Sequence, residues 1–171
     1  MRRHPGLKSI AVALGCVLAC LASPGLANDT VFFVVRHAEK LDESTDPELS
    51  PQGHKRAEQL MQTLEHLRVD GTYHTQFART KQTADPLAMK RTIPMTMYVA
   101  DDLNWLNGVL VAQKGKRLLV VGHSNTIGEI VKHLSGQPAP SIGDEYDNLF
   151  IVTIPETGAK SVVRLKYGEA P

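Results

Sequence analysis

The 171-residue sequence predicts an α/β fold, a three-layer α/β/α sandwich around a mostly parallel sheet with an antiparallel edge. Three observations carry that expectation. The runs Val31-Phe32-Phe33-Val34-Val35 and Leu118-Leu119-Val120-Val121 are apolar throughout, the pattern of strands covered on both faces. Between them strand-like and helix-like segments alternate, which requires parallel strands joined by helices crossing back over the sheet. After them, residues 150–154 and 161–165 flank a turn from Pro155 to Gly158 and read as a hairpin.

The elements follow in order. After the first strand comes a polar loop over residues 40–49, and Ser50-Pro51 then opens a helix as N-cap and first-turn proline. Ala57, Leu60, Met61, Leu64 and Leu67 recur at three- and four-residue spacing and give that helix one buried stripe. A short strand near Thr72-Tyr73-His74 precedes a helix over about 79–90, and residues 96–99 read as a third strand. A helix over 102–114 carries Leu103, Leu106, Leu110 and Val111, with Asp102 as its expected N-cap. The strand over 118–121 ends at Gly122-His123, and a helix over 125–134 stops at Gly136 and Pro138.

Composition is that of a globular domain, 42% hydrophobic and 22% charged, and no repeat or internal linker interrupts it. The first 27 residues differ from the rest. Arg2, Arg3 and Lys8 form a basic start, residues 10–21 are uncharged and mostly apolar, and Ser23-Pro24-Gly25-Leu26-Ala27 is a small-residue exit. That layout is a secretory signal peptide with cleavage after Ala27, leaving a single domain over 28–171 and a secreted or periplasmic location. An uncleaved anchor and lipid attachment at Cys20 are the alternatives, although Leu18 fits a lipoprotein site poorly. Both cysteines, Cys16 and Cys20, lie in the leader, so the mature domain has no thiol for a disulfide or for catalysis. The leader also holds three basic and no acidic residues, so sixteen basic face eighteen acidic in the remainder, no basis for a nucleic-acid partner. No His and carboxylate pair shows metal-ligand spacing, and no cofactor is expected.

Arg36-His37 leaves the C-terminal end of the first strand, Arg79 follows the second, and His123 follows the fourth. In a parallel sheet these ends share one edge, so two Arg and two His can converge. Two guanidiniums aimed at one place suit a tetrahedral dianion, and an imidazole among them is a competent nucleophile toward phosphorus.

With these pieces in order the sequence resembles the histidine phosphatase superfamily, also called phosphoglycerate mutase-like (branch 1), as a small exported member. Val34-Val35-Arg36-His37-Ala38-Glu39 matches its R-H-G-E motif, with Ala38 in place of Gly, and Leu49-Ser50-Pro51-Gln52-Gly53 its L-[ST]-x-x-G helix start. Phe77-Ala78-Arg79-Thr80-Lys81-Gln82-Thr83-Ala84 resembles its second Arg segment and Val120-Val121-Gly122-His123-Ser124 its second His segment. The resemblance implies that His37 attacks the phosphoryl group and becomes phosphohistidine, while Arg36, Arg79 and His123 hold the equatorial oxygens before water releases phosphate. His37 must then be neutral, whereas His123 serves best as an imidazolium donor.

The resemblance places the proton donor just after the third strand, with Asp102 first and Asp101 second. Thr75 stands where relatives carry a Ser near the phosphate, and Ser124 and Asn125 could supply a backbone amide there or cap a helix. Glu39 and Lys40 are expected to pair on the rim, and His54, His66, His74 and His133 to lie on the surface or a helix face. The expected activity is that of a histidine-type acid phosphatase acting on a small phosphomonoester, a phosphoprotein or a phosphorylated envelope component. Residues 142–147 are expected to border the pocket mouth and disfavour very acidic substrates. The alternative is a non-catalytic phosphate or phosphoprotein binding module using the same pocket.

Overall fold

A computed structural model describes residues 28–169; the expected leader, with Cys16 and Cys20, lies outside them. Strand β1 (Thr30–Arg36) is followed by helix α1 (Pro51–Leu64), β2 (Gly71–Thr75), α2 (Ala78–Arg91) and β3 (Met95–Tyr98). Helix α3 (Trp105–Ala112), β4 (Arg117–Gly122), α4 (Ile127–Ser135), β5 (Asn148–Ile154) and β6 (Ser161–Lys166) complete the order. The six strands form one sheet in the order β3-β2-β4-β1-β5-β6. β1, β2, β3 and β4 run parallel, and β5 and β6 add an antiparallel edge, as the alternation of elements and the terminal hairpin predict.

The apolar runs of β1 and β4 lie at the centre because both faces of the sheet are covered. Val31, Phe33, Val35, Leu119 and Val121 pack beneath Leu60 and Leu64 of α1 and Ala84 and Leu87 of α2. Phe32, Val34, Leu118 and Val120 pack against Leu106 of α3 and Ile127, Ile130 and Leu134 of α4. Side chains alternate across a strand, so one apolar run serves both layers.

The chain leaves β1 toward β2 over one face and leaves β4 toward β5 over the other. The crevice at the C-terminal ends of β1 and β4 is therefore the switch point at which such sheets bind ligands.

Two boundaries differ from expectation. Helix α3 starts at Trp105 after Asn104, not at Asp102, because Asp102 Oδ1 accepts the Asn104 N–H at 2.8 Å and holds a turn before the helix. α4 begins at Ile127, since Ser124 and Asn125 form a turn closed by the Thr126 and Ile127 amides on the His123 carbonyl. Ser50 and Pro51 take their expected places at the head of α1, where Ser50 Oγ accepts the Gly53 N–H at 3.1 Å.

Candidate active site

The parallel register sets the site. Arg36 pairs with Gly122, so the next residues, His37 and His123, emerge side by side, and the His37 N–H donates to the Gly122 carbonyl at 2.9 Å. Their ring centroids lie 5.3 Å apart. Gly122 is required here: a Cβ at this position would lie 2.9 Å from Ile127 Cγ2 and 3.1 Å from the Tyr98 hydroxyl.

Around the two rings opens a cleft of about 360 Å³ lined by Arg36, Lys40, Arg79, Asp101, Ser124 and Asn125 among others. Ser44, Thr45 and Pro47 of the loop after β1 also line it. Arg36, Arg79, His37, His123, Asp101 and Ser124 thus meet in one cleft, whereas Asp102 and Thr75 do not line it.

His37 is 4% exposed, and its Nδ1 lies 2.7 Å from the Ala38 carbonyl. A carbonyl only accepts, so Nδ1 carries the proton and Nε2 keeps its lone pair. Burial, with further lowering from His123 and the two guanidiniums, takes His37 from its ordinary 6.5 down to about 3, against the raising effect of its bond to Ala38. The ring is a neutral base with its lone pair on Nε2. His123, 7% exposed, is likewise lowered to about 4, by burial first and then by Arg79, with Asp101 opposing.

The guanidiniums are held but not saturated. Arg36 Nη1 donates to the Asp144 carbonyl at 2.7 Å and its guanidinium carbon sits 4.0 Å from the centre of the Tyr146 ring. Arg79 lies over the Phe77 ring at 4.4 Å and 3.7 Å from the Asp46 carboxylate. Arg36 Nε and Arg79 Nε and Nη1 are buried and make no hydrogen bond among the described residues. Buried cationic donors without acceptors define a place for an anion with several oxygens.

Four expectations need correction. Asp101, not Asp102, faces the cleft; Asp102 spends its carboxylate on the turn before α3. Thr75 is fully buried, and its hydroxyl meets His123 Nε2 and Thr80 Oγ1 instead of the cleft. Glu39 and Lys40 do not pair: Lys40 bonds Glu43, while Glu39 forms a 2.7 Å ion pair with Arg56, whose side chain is only 3% exposed. His74 is half-buried in β2, with Nδ1 donating to the Thr75 carbonyl at 2.7 Å. His54, His66 and His133 are exposed.

Sequence reasoning missed Arg56, and it reached Tyr146 only as one of residues 142–147 at the expected border of the pocket mouth. Arg56 had a signal: Gly53, Arg56, Ala57, Leu60 and Leu64 form one buried stripe, so a charge at 56 required a buried partner. Arg56 also reaches the Glu169 carbonyl at 3.2 Å, tying the loop after His37 to the residues after β6. Gly53 allows this approach, since a Cβ there would collide with the Glu39 carbonyl oxygen. Tyr146 lies in an irregular segment where no periodicity marks an inward residue.

The family model for the histidine phosphatase superfamily (branch 1) matches residues 32–104, a stretch that contains Arg36, His37, Arg79 and Asp101. A search of curated proteins gave no match. Among solved structures, the protein histidine phosphatase SixA complexed with tungstate is 19% identical, with a TM-score of 0.63 over 80% of this chain and 96% of that one. The alpha-ribazole phosphatase from Shigella flexneri is 14% identical, with a TM-score of 0.58 over 80% and 96%. Phosphoglycerate mutase from Bacillus anthracis str. Sterne is 12% identical, with a TM-score of 0.63 over 81% and 93%. At these identities the likeness is one of fold, and it is phosphoglycerate mutase-like. Over residues 32–104 the chain is thus similar to the histidine phosphatase superfamily, branch 1, and over most of its length it shares the phosphoglycerate mutase-like fold.

Proposed function

We propose that the chain is a phosphatase that hydrolyses a phosphomonoester or phosphoprotein through a phosphohistidine on His37. The observation that carries this reading is the His37 ring: neutral, with its Nδ1 proton committed to Ala38 and its Nε2 lone pair free, beside buried guanidinium N–H groups that lack acceptors. Nε2 attacks phosphorus as the ester P–O bond breaks, and the leaving oxygen takes a proton from Asp101, the carboxyl group of the third-strand loop that lines the cleft. Arg36, Arg79 and His123 hold the equatorial oxygens, where transition-state charge gathers. Water then attacks phosphorus, the P–N bond breaks, and phosphate leaves.

The substrate class is supported by two of the similar folds, one described as a protein histidine phosphatase and one as an alpha-ribazole phosphatase. The signal-like residues 1–27 favour action outside the cytoplasm, on a phosphorylated envelope component.

The test uses a chromogenic aryl phosphate together with trapping of an acid-labile, base-stable phosphoenzyme. Wild type should release phosphate and carry the label; His37→Ala should do neither while keeping its circular dichroism spectrum. Undiminished activity in His37→Ala would remove the nucleophile assignment. Saturable phosphate binding without turnover by wild type would favour the binding module.

A further inference from the structure

Two threonines stand behind His123, on the side away from the cleft. Thr75 ends β2 and Thr80 lies in the first turn of α2, and both are fully buried. Thr75 Oγ1 is 3.1 Å from His123 Nε2 and 2.8 Å from Thr80 Oγ1, while Thr80 Oγ1 is 2.8 Å from the Phe77 carbonyl oxygen. Only the last contact has a forced direction. A carbonyl accepts and never donates, so the single hydroxyl proton of Thr80 points at Phe77. Thr80 Oγ1 must therefore accept from Thr75. That uses the Thr75 proton, so Thr75 Oγ1 must accept from His123, and Nε2 carries a hydrogen.

The other side of the ring gives the same answer independently. A guanidinium only donates, and Arg79 Nη2 lies 3.5 Å from His123 Nδ1, which therefore presents a lone pair. From these contacts we infer that Thr80, acting through Thr75, is a positioning residue that fixes His123 in its Nε2–H tautomer and so turns the unprotonated Nδ1 toward the cleft.

The tautomer follows from the hydrogen bonds alone; its kinetic consequence rests on the phosphatase reading above. A phosphoryl monoanion docked against Nδ1 gives its proton to that nitrogen. One proton moves from phosphoryl oxygen to nitrogen, leaving a dianion beside an imidazolium and two guanidiniums. The opposite tautomer would aim an N–H at Arg79 and have no lone pair with which to take the proton. The depression of His123 to about 4 keeps the ring neutral until an anion arrives.

The experiment is long-range proton–nitrogen NMR of histidine-labelled protein at neutral pH without substrate, on wild type, Thr80→Val and Thr80→Ser, with aryl phosphate kinetics on the same samples. Wild type and Thr80→Ser should show the Nε2–H pattern at His123. Thr80→Val should show a mixture of tautomers, with kcat lower by about tenfold, the low end of a general acid–base contribution, and KM changed less than about twofold. An Nδ1–H pattern in wild type, or a Thr80→Val spectrum unchanged from it, overturns the inference. Thr75→Val breaks the same chain at its other link and stands in if Thr80→Val does not fold. A protein with the expected tautomers but no turnover would fail the phosphatase reading alone; an active enzyme with His123 as Nδ1–H would fail this inference alone.

Discussion

Arg36 and Gly122 are partners in the parallel ladder of β1 and β4, and this pairing delivers His37 and His123 to one cleft with ring centroids 5.3 Å apart. The two imidazoles are thus held at the ends of the two central strands by hydrogen bonds of their own backbone groups. The guanidiniums reach the same place on side chains steered by aromatic rings, Tyr146 for Arg36 and Phe77 for Arg79.

Arg79→Ala removes a guanidinium whose Nε and Nη1 make no hydrogen bond among the described residues and whose contacts to Asp46 and His123 are long, at 3.7 and 3.5 Å, so it should leave the fold intact. Loss of a preorganised oxyanion donor lowers kcat by about 10²–10³-fold. Steady-state kinetics with an aryl phosphate, alongside thermal unfolding, checks both halves; a large drop in Tm would assign Arg79 to the fold instead.

Asp101 and Asp102 are adjacent, but only Asp101 lines the cleft. Asp101→Asn should slow hydrolysis of alkyl phosphates by about 10²–10⁴-fold, the range for a general acid, and affect activated aryl phosphates less. Asp102→Asn should leave both rates nearly unchanged. Equal losses in the two variants would remove the acid role from Asp101.

Stability should fall as pH drops from neutrality. His37 and His123 are lowered to about 3 and 4 in the folded state, against an ordinary value of 6.5. Below pH 6.5 the unfolded chain therefore binds protons that the folded chain refuses, so folding weakens until the pH passes the folded values. Above that window both groups are neutral in both states and contribute no slope. Denaturant midpoints at pH 7, 5.5 and 4.5 should decline more gently in His37→Asn than in wild type, and parallel declines would contradict the burial argument. Because His37 stays neutral above about pH 3, loss of activity at milder acidity must come from another group.

Arg56→Ala leaves the buried Glu39 carboxylate without its cation and should cost about 3–5 kcal/mol, the range for breaking a buried ion pair from one side. Glu39→Gln combined with Arg56→Met should recover much of that loss. Chemical denaturation of the single and double variants checks it, and strict additivity would show that the pair is not coupled.

The mostly parallel sheet with its antiparallel edge and the convergence of Arg36, His37, Arg79 and His123 were legible because both follow from periodicity. Apolar runs mark the central strands, and strand ends in a parallel sheet share an edge. What could not be read was direction within irregular segments. Asp101 and Asp102 differ by one position in a loop, and only the turn made by Asp102 decides which carboxylate faces inward. Glu39 reads as a rim charge until α1 brings Arg56 against it, across 17 positions of sequence. Thr75 has the right place but points behind His123, since the last residue of β2 is covered by α2.

The antiparallel pairing of β1 with β5 has a consequence for the order of events during synthesis. The strand that carries Arg36 finds one neighbour in β4, 86 positions later, and the other in β5, beyond residue 148. Arg56 waits longer still, for the carbonyl of Glu169. A ribosome must therefore finish nearly all of the described chain before the loop after His37 can settle. Contacts of this span make folding slow relative to local helix formation. The central strand β1 therefore stays unpaired until the last third of the domain has been made.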